Sequence, residues 1–218
     1  MTQRIVLIHA TPLAVEPINQ AFAHQWPEAE ISNLLDDALS LDRRKVTVLT
    51  DRLFQRIDSL VDYAANIDAG AVLFTCSAFG EAIDASAAKN TIPVLKPNEA
   101  MFEAALAKGE NIVMLATFAP AVAGMEAEFN ELVRKGSRDA TLTSVLVKGA
   151  RDALEQGDVE RHNQLIVQAA REHTEADAIL LAHFSMAIAW EKVQSAVNCP
   201  VLSSPHAAVS KLKILMAH

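Results

Sequence analysis

Glycine, cysteine and basic residues are all scarce in this chain, and each shortage closes off a class of function. Only seven glycines occur in 218 residues. None forms a G-x-G-x-x-G or P-loop array, so neither a dinucleotide nor a nucleoside triphosphate is the expected ligand. The two cysteines, Cys76 and Cys199, are too few and too far apart for a disulfide framework or a zinc knuckle. No HExxH, CxxC or EF-hand pattern is present, and metal dependence has no support in the sequence. Lys and Arg number 19 against 27 Asp and Glu, a net charge of −8, which argues against a nucleic-acid partner. The small basic clusters, Arg43-Arg44-Lys45, Arg134-Lys135 and Lys211 with Lys213, read as solvated helix ends or loops. No apolar run approaches the roughly 18 residues that cross a bilayer. Met1-Thr2-Gln3-Arg4-Ile5 leads straight into a strand, too short in apolar residues for a signal core. A cytoplasmic protein with no membrane partner is expected.

What the chain has in quantity is apolar residues, 51% of the total, enough for a sizeable core. Short apolar runs alternate with helical patterns, the signature of parallel strands joined by crossover helices. Strands are expected near 4–9, 30–34, 70–75, 92–95, 111–116, 141–147, 177–182 and 200–202. The clearest helix spans about 50–68, where Leu53, Phe54, Ile57, Leu60, Val61 and Ala64 make one apolar stripe. Val122, Met125, Phe129, Leu132 and Val133 form a second stripe, and Leu165, Ile166 and Ala169 a third. All three read as core. Pro12 and Pro120 stand where helices begin.

The sequence also repeats at one offset, 107 residues, in three places. Ile5-Val6-Leu7-Ile8 aligns with Ile112-Val113-Met114-Leu115, Ala71-Val72-Leu73-Phe74-Thr75-Cys76 with Ala178-Ile179-Leu180-Leu181-Ala182-His183, and Pro93-Val94-Leu95 with Pro200-Val201-Leu202. A shared offset predicts an α/β fold of two similar α/β/α halves about a pseudo-twofold axis, with a cleft between them. The expected halves are residues 1–97 plus 206–218, and 98–205. The middle match sets Cys76 and His183 at equivalent points.

Ligands of open parallel sheets bind beyond the carboxyl ends of the strands. That rule selects His9, Thr11 and Pro12; Cys76, Ser77 and Ala78; Thr117 and Phe118; His183, Phe184 and Ser185; and Ser203, Ser204 and His206. Cys76 precedes an expected helix at 81–88, where the helix dipole favours thiolate and free N–H groups can hold an oxyanion. The alternative is a buried structural thiol. His183 can move a proton near neutral pH or cap the next helix. His206 can line the cleft or cap. Thr117 can cap a helix or bind a carboxylate. Cys199 lies at the wrong end of the sheet and reads as structural. His24, His162, His173 and His218 read as surface residues. Phe79, Phe118 and Phe184 fall near the expected mouth and suit a less polar substrate tail, or simple packing.

These residues resemble the aspartate/glutamate/hydantoin racemase superfamily over nearly the whole chain. The resemblance rests on the opening strand with Thr11-Pro12, on Gly70-Ala71-Val72-Leu73-Phe74-Thr75-Cys76, on Leu115-Ala116-Thr117, on Ile179-Leu180-Leu181-Ala182, and on Pro200-Val201-Leu202. It implies two pseudo-symmetric halves, no cofactor, a homodimer, and a small carboxylate-containing substrate whose α-proton is exchanged between two cysteines. Cys76 matches the first of these and Thr117 the carboxylate-binding threonine. Ser77 and Ala78 replace the usual Asn and Thr. The second cysteine is absent: His183 stands in its place.

The expected function is therefore a cofactor-independent isomerase of racemase type, with Cys76 and His183 as catalytic acid and base. The expected substrate-binding residues are His9, Thr11, Ser77, Ala78, Thr117, Phe118, Ser185 and His206. Three alternatives stand beside it. One is a decarboxylase-type lyase in which one thiol protonates an enolate. Another is a hydrolase-like thiolate nucleophile. The last is a non-catalytic small-acid binding protein.

Overall fold

A computed structural model describes residues 4–217. The first half runs β1 (Arg4–His9), a 3-10 turn (Pro12–Ala14), α1 (Val15–Gln25), β2 (Ile31–Leu35), α2 (Ala38–Arg43) and α3 (Asp51–Asn66). It continues with β3 (Ala69–Phe74), a 3-10 turn (Ser77–Phe79), α4 (Gly80–Ala87) and β4 (Val94–Leu95). After α5 (Glu99–Leu106) come β5 (Asn111–Ala116), α6 (Ala119–Lys135), β6 (Thr141–Leu146), α7 (Ala150–Glu155) and α8 (Val159–Arg171). The chain closes with β7 (Ala178–Leu181), a 3-10 turn (Phe184–Ala189), α9 (Trp190–Gln194), β8 (Val201–Ser203) and α10 (Ser204–Leu215).

The strands form two four-stranded parallel sheets, ordered β2-β1-β3-β4 and β6-β5-β7-β8. The expected strands all form, each displaced by no more than two residues at an end. The 107-residue repeat extends to the hydrogen-bond register. Ile5 pairs with Ala71 and Leu7 with Leu73; Ile112 pairs with Ala178 and Met114 with Leu180. Val72 lies opposite Val94, as Ile179 lies opposite Val201. Even the bonds just past the ladders match: Thr75 N–H donates to Ile8 O, and Ala182 N–H donates to Leu115 O, both at 3.0 Å. The repeat fails at the edge strands. Ile5 faces Ile31, whereas Ile112 faces Leu142. The β5-to-β6 crossing is therefore four residues longer than its counterpart, which is why β6 escapes the sequence repeat.

Burial follows the topology. The central strands β1, β3, β5 and β7 have almost no accessible side chains, as parallel strands covered on both faces should. The edge strands β2 and β6 are half open. Helix α3 buries Leu53, Ile57, Val61 and Ala64, and α6 buries Ala121, Met125 and Phe129, so both stripes face the core. One apolar cluster joins Val6 and Ile8 of the first sheet to Ile112 and Met114 of the second through Met101, Phe102, Met125 and Phe129. Helix α10 packs on α1 and α5, where Ala208, Val209 and Leu212 cover Ile5, Leu7 and Ile18. Of the histidines expected at the surface, His162 is instead fully buried, with its Nδ1 2.9 Å from Asn163 Oδ1; His218 lies outside the described residues.

Contacts between the halves obey the same symmetry. The turn Pro12–Ala14 after β1 packs on the turn Phe184–Ala189 after β7. The start of α6 after β5 packs on the turn Ser77–Phe79 after β3. Each half thus offers the carboxyl ends of its two central strands to the other.

The aromatic pair Phe102–Phe129 anchors the shared cluster. Both rings are fully buried and meet edge to face, 5.6 Å between centroids. Phe129→Ala removes this contact and leaves a cavity, so urea denaturation should show a loss of about 3–5 kcal/mol.

Candidate active site

The backbone has the same extended conformation at the two equivalent points. Cys76 is extended (φ −124°, ψ 119°) and caps the turn Ser77–Phe79. His183 is likewise extended (φ −112°, ψ 143°) and caps the turn Phe184–Ala189. The two loops meet. His183 Nδ1 lies 3.4 Å from Ser77 Oγ, and its Nε2 accepts the Phe118 N–H at 3.1 Å. A nitrogen that accepts a backbone N–H carries no proton, so the imidazole is the Nδ1–H tautomer and donates a long bond to Ser77. His183 thus joins the ends of β3, β5 and β7.

Electrostatics fix the protonation states. Burial, with the Arg151 guanidinium nearby as a second cause, pushes His183 down to about 3. It is neutral at physiological pH. Cys76 keeps partial exposure as a residue, but its dense surroundings push the thiol above its ordinary value. A bond from the Ala78 N–H and the charges of Arg151 and Arg43 oppose that rise without overcoming it. The thiolate expected from a helix dipole is therefore not the resting form. The turn after Cys76 is only three residues of 3-10 helix, too short to sum a large dipole, and desolvation wins.

Three arginines lie close by, and no sequence motif marks any of them. Arg43 is only 8% exposed, not a solvated helix end. It donates to Ala78 O at 3.1 Å, Val46 O at 2.8 Å and Pro120 O at 3.1 Å, tying the Cys76 loop to α6. The guanidinium of Arg151 lies 4.7 Å from the centre of the Phe118 ring, and that of Arg44 lies 5.7 Å from it. Arg44 follows the last residue of α2 and Arg151 is the second residue of α7, so the two are not equivalent positions of the repeat.

The other expected site residues divide. Ser77, Ala78 and Phe118 join the Cys76–His183 cluster through the bonds above, and Thr117 adjoins it, 9% exposed. Thr11 and Ser185 sit at the packed turns Pro12–Ala14 and Phe184–Ala189. His9 is fully buried, with Nδ1 2.9 Å from Thr75 Oγ1 and Nε2 2.8 Å from Asn33 Oδ1. Both ring nitrogens are engaged, so His9 holds the residue before Cys76 rather than meeting a ligand. His206 lies elsewhere, 2.5 Å from Ser203 Oγ and against the Trp190 ring, in a groove with Gln25 and Lys211. Phe79 and Phe184 are core residues, each 1% exposed; of the three phenylalanines expected at the mouth, Phe118 alone lines the cluster. A groove of about 950 Å³ opens beside Ser77 and Ala78, bounded by Arg43, Pro120, Lys96 and Glu128. Among the described residues no group of three or more His, Cys, Asp and Glu side chains is placed to hold a metal, and no helix is long and apolar enough to cross a membrane.

Two measurements follow from these states. The pH profile of Cys76 alkylation should have its midpoint above that of a free thiol, and Arg151→Met should move it higher still, because the guanidinium favours thiolate. His183 has a lower pKa folded than unfolded. The unfolded chain therefore binds the extra proton, and stability is lost as pH falls from about 6.5 towards 3. Denaturation at pH 7.5 and 5 should show a smaller acid loss in His183→Gln than in wild type.

No protein-family model matches the chain, and no curated protein matches it. Solved structures do. An aspartate racemase from Picrophilus torridus superposes with a TM-score of 0.77 at 14% identity, covering 99% of this chain and 94% of that one. An allantoin racemase from Pseudomonas fluorescens gives 0.71 at 19% identity, covering 99% and 91%. A mutant of arylmalonate decarboxylase gives 0.66 at 19% identity, covering 98% and 93%. Across its whole length, then, this chain has the two-halved α/β fold that those racemases and that decarboxylase share.

Proposed function

We propose that this protein is an isomerase of the racemase type, in the aspartate/glutamate/hydantoin racemase superfamily, which moves a proton at the carbon next to the carboxylate of a small acid. The observation that carries the reading is the meeting of Cys76 and His183 loops at pseudo-equivalent points, under Arg151. Carbon-acid chemistry needs an acid or base on each face of the carbon and fixed positive charge for the developing oxyanion. Cys76 is a protonated thiol and supplies the acid. Arg151 supplies charge, and among the described residues no hydrogen bond occupies its Nη atoms. The Phe118 N–H is a donor that a carboxylate can also use.

That last point gives His183 its part. In the resting site its Nε2 lone pair is taken by the Phe118 N–H. A substrate carboxylate competing for that N–H sets the lone pair free. The imidazole then takes the α-proton on one face, and the Cys76 S–H bond delivers a proton to the other. The products are the inverted acid, an imidazolium and a thiolate; proton exchange with solvent resets both. Ser77 Oγ keeps the Nδ1–H oriented throughout.

A decarboxylase-type lyase is the second reading, and the neutral, engaged His183 favours it. With Nε2 still held by Phe118 and the Nδ1 proton directed at Ser77, Cys76 alone is free to deliver a proton, and protonation is confined to one face. Loss of carbon dioxide from an activated acid leaves an enediolate that one thiol suffices to quench.

Incubation with a panel of amino acids, hydantoins and aryl- or alkyl-substituted acids in deuterium oxide tests both. Racemase chemistry predicts α-deuterium in both enantiomers; lyase chemistry predicts carbon dioxide release and deuterium on one face. Cys76→Ala should lower either rate by at least about 100-fold. Unchanged turnover in that variant would remove Cys76 from the mechanism.

A further inference from the structure

Glu155, the last residue of α7, stands outside the Cys76–His183 cluster and has no part in the steps above. Its Oε1 accepts two bonds at once: from Arg151 Nε at 2.7 Å and from Arg44 Nη2 at 2.9 Å. Arg44 follows α2, in the first half; Arg151 and Glu155 belong to the second. One carboxylate oxygen therefore ties an arginine of each half to the other. Both guanidinium groups lie over the same Phe118 ring, and the backbone N–H of that phenylalanine holds His183.

Two guanidinium groups over one ring repel each other. Like charges held close raise one another's energy, the more so where water screens them poorly. A carboxylate between them removes that cost and sets their direction. Because Glu155 takes Arg151 by Nε, the Nη edge is left for another anion. Arg43 adds a further cation nearby, bonded only to carbonyls. Without Glu155, neither Arg44 nor Arg151 would have a carboxylate partner among the described residues.

We infer that Glu155 is the positioning and specificity-determining residue of the carboxylate subsite: it locks Arg44 and Arg151 side by side over Phe118 and cancels one of their two charges, so that the pair receives a single carboxylate. The inference rests on the proposed site at Cys76. It separates two duties that one arginine cannot perform alone. Glu155 sets the geometry and the charge; the free edge of Arg151 meets the acid.

The test needs no substrate. Iodoacetate and iodoacetamide alkylate the same thiol and differ in one carboxylate. The ratio of their rates at Cys76, followed by peptide mass so that Cys199 does not interfere, reports the anion preference of the subsite. Thiol basicity affects both reagents and largely cancels in the ratio. Glu155→Gln keeps an acceptor oxygen but removes the charge, and it should raise the iodoacetate/iodoacetamide ratio by about 3- to 10-fold at low salt, fading as salt screens the site. Arg151→Met should lower the ratio. An unchanged or lower ratio in Glu155→Gln, with the Arg151→Met effect intact, overturns the role of Glu155 and leaves the carboxylate reading standing. No effect of Arg151→Met overturns the carboxylate reading itself, and the role of Glu155 with it.

Discussion

The bond from the Phe118 N–H to His183 Nε2 is the constraint on which the site depends. It spans the ends of β5 and β7, chooses the tautomer, and so decides what His183 presents to Ser77. It also makes the imidazole a neutral occupant of a donor that a ligand carboxylate would want. A histidine at this point is therefore not a simple stand-in for a thiol. A thiol can give or take a proton without releasing a backbone donor first. In the proposed mechanism His183 has to be displaced before its lone pair is free, which would couple its basicity to the arrival of an anion.

The same economy governs Cys76. Burial raises its pKa, and the Ala78 N–H, Arg151 and Arg43 pull it back without cancelling the rise. A protonated thiol suits proton delivery better than nucleophilic attack, which counts against the hydrolase-like alternative. Positive charge is kept near the thiol without being spent on it. Arg43 is committed to three carbonyls that tie the Cys76 loop to α6, and Arg44 and Arg151 are held over Phe118. The apolar cluster beneath, continuous from Val6 to Met125, keeps the two halves in register so that these groups meet.

Much of the fold could be read in the sequence because repetition is conserved where burial is complete. Central strands β1, β3, β5 and β7 have no freedom to slip, since a one-residue shift would turn a side chain from one packed face to the other; their 107-residue offset therefore survives in residues and in register. Edge strands β2 and β6 are half exposed and tolerate the four-residue difference that hid them. The meeting of Cys76, Ser77, Ala78, Phe118 and His183 was legible because all five follow strand ends. The site was not legible where helices bring residues in from a distance. Arg43 looks like a solvated helix end in sequence and is buried by α6 across the halves. Arg151 has no motif at all. Phe79 and Phe184, which in sequence fit the mouth or simple packing, are packed in the core. His9 occupies a strand end as a ligand-binding residue would, yet Thr75 and Asn33 engage both its nitrogens.

The most direct test of this account is the protonation state of His183, read by nitrogen-15 NMR of the imidazole from pH 8 down to pH 4. A neutral Nδ1–H ring with an unprotonated, hydrogen-bonded Nε2 is expected across that whole range. A ring that protonates near pH 6.5, or one that carries its proton on Nε2, would contradict it.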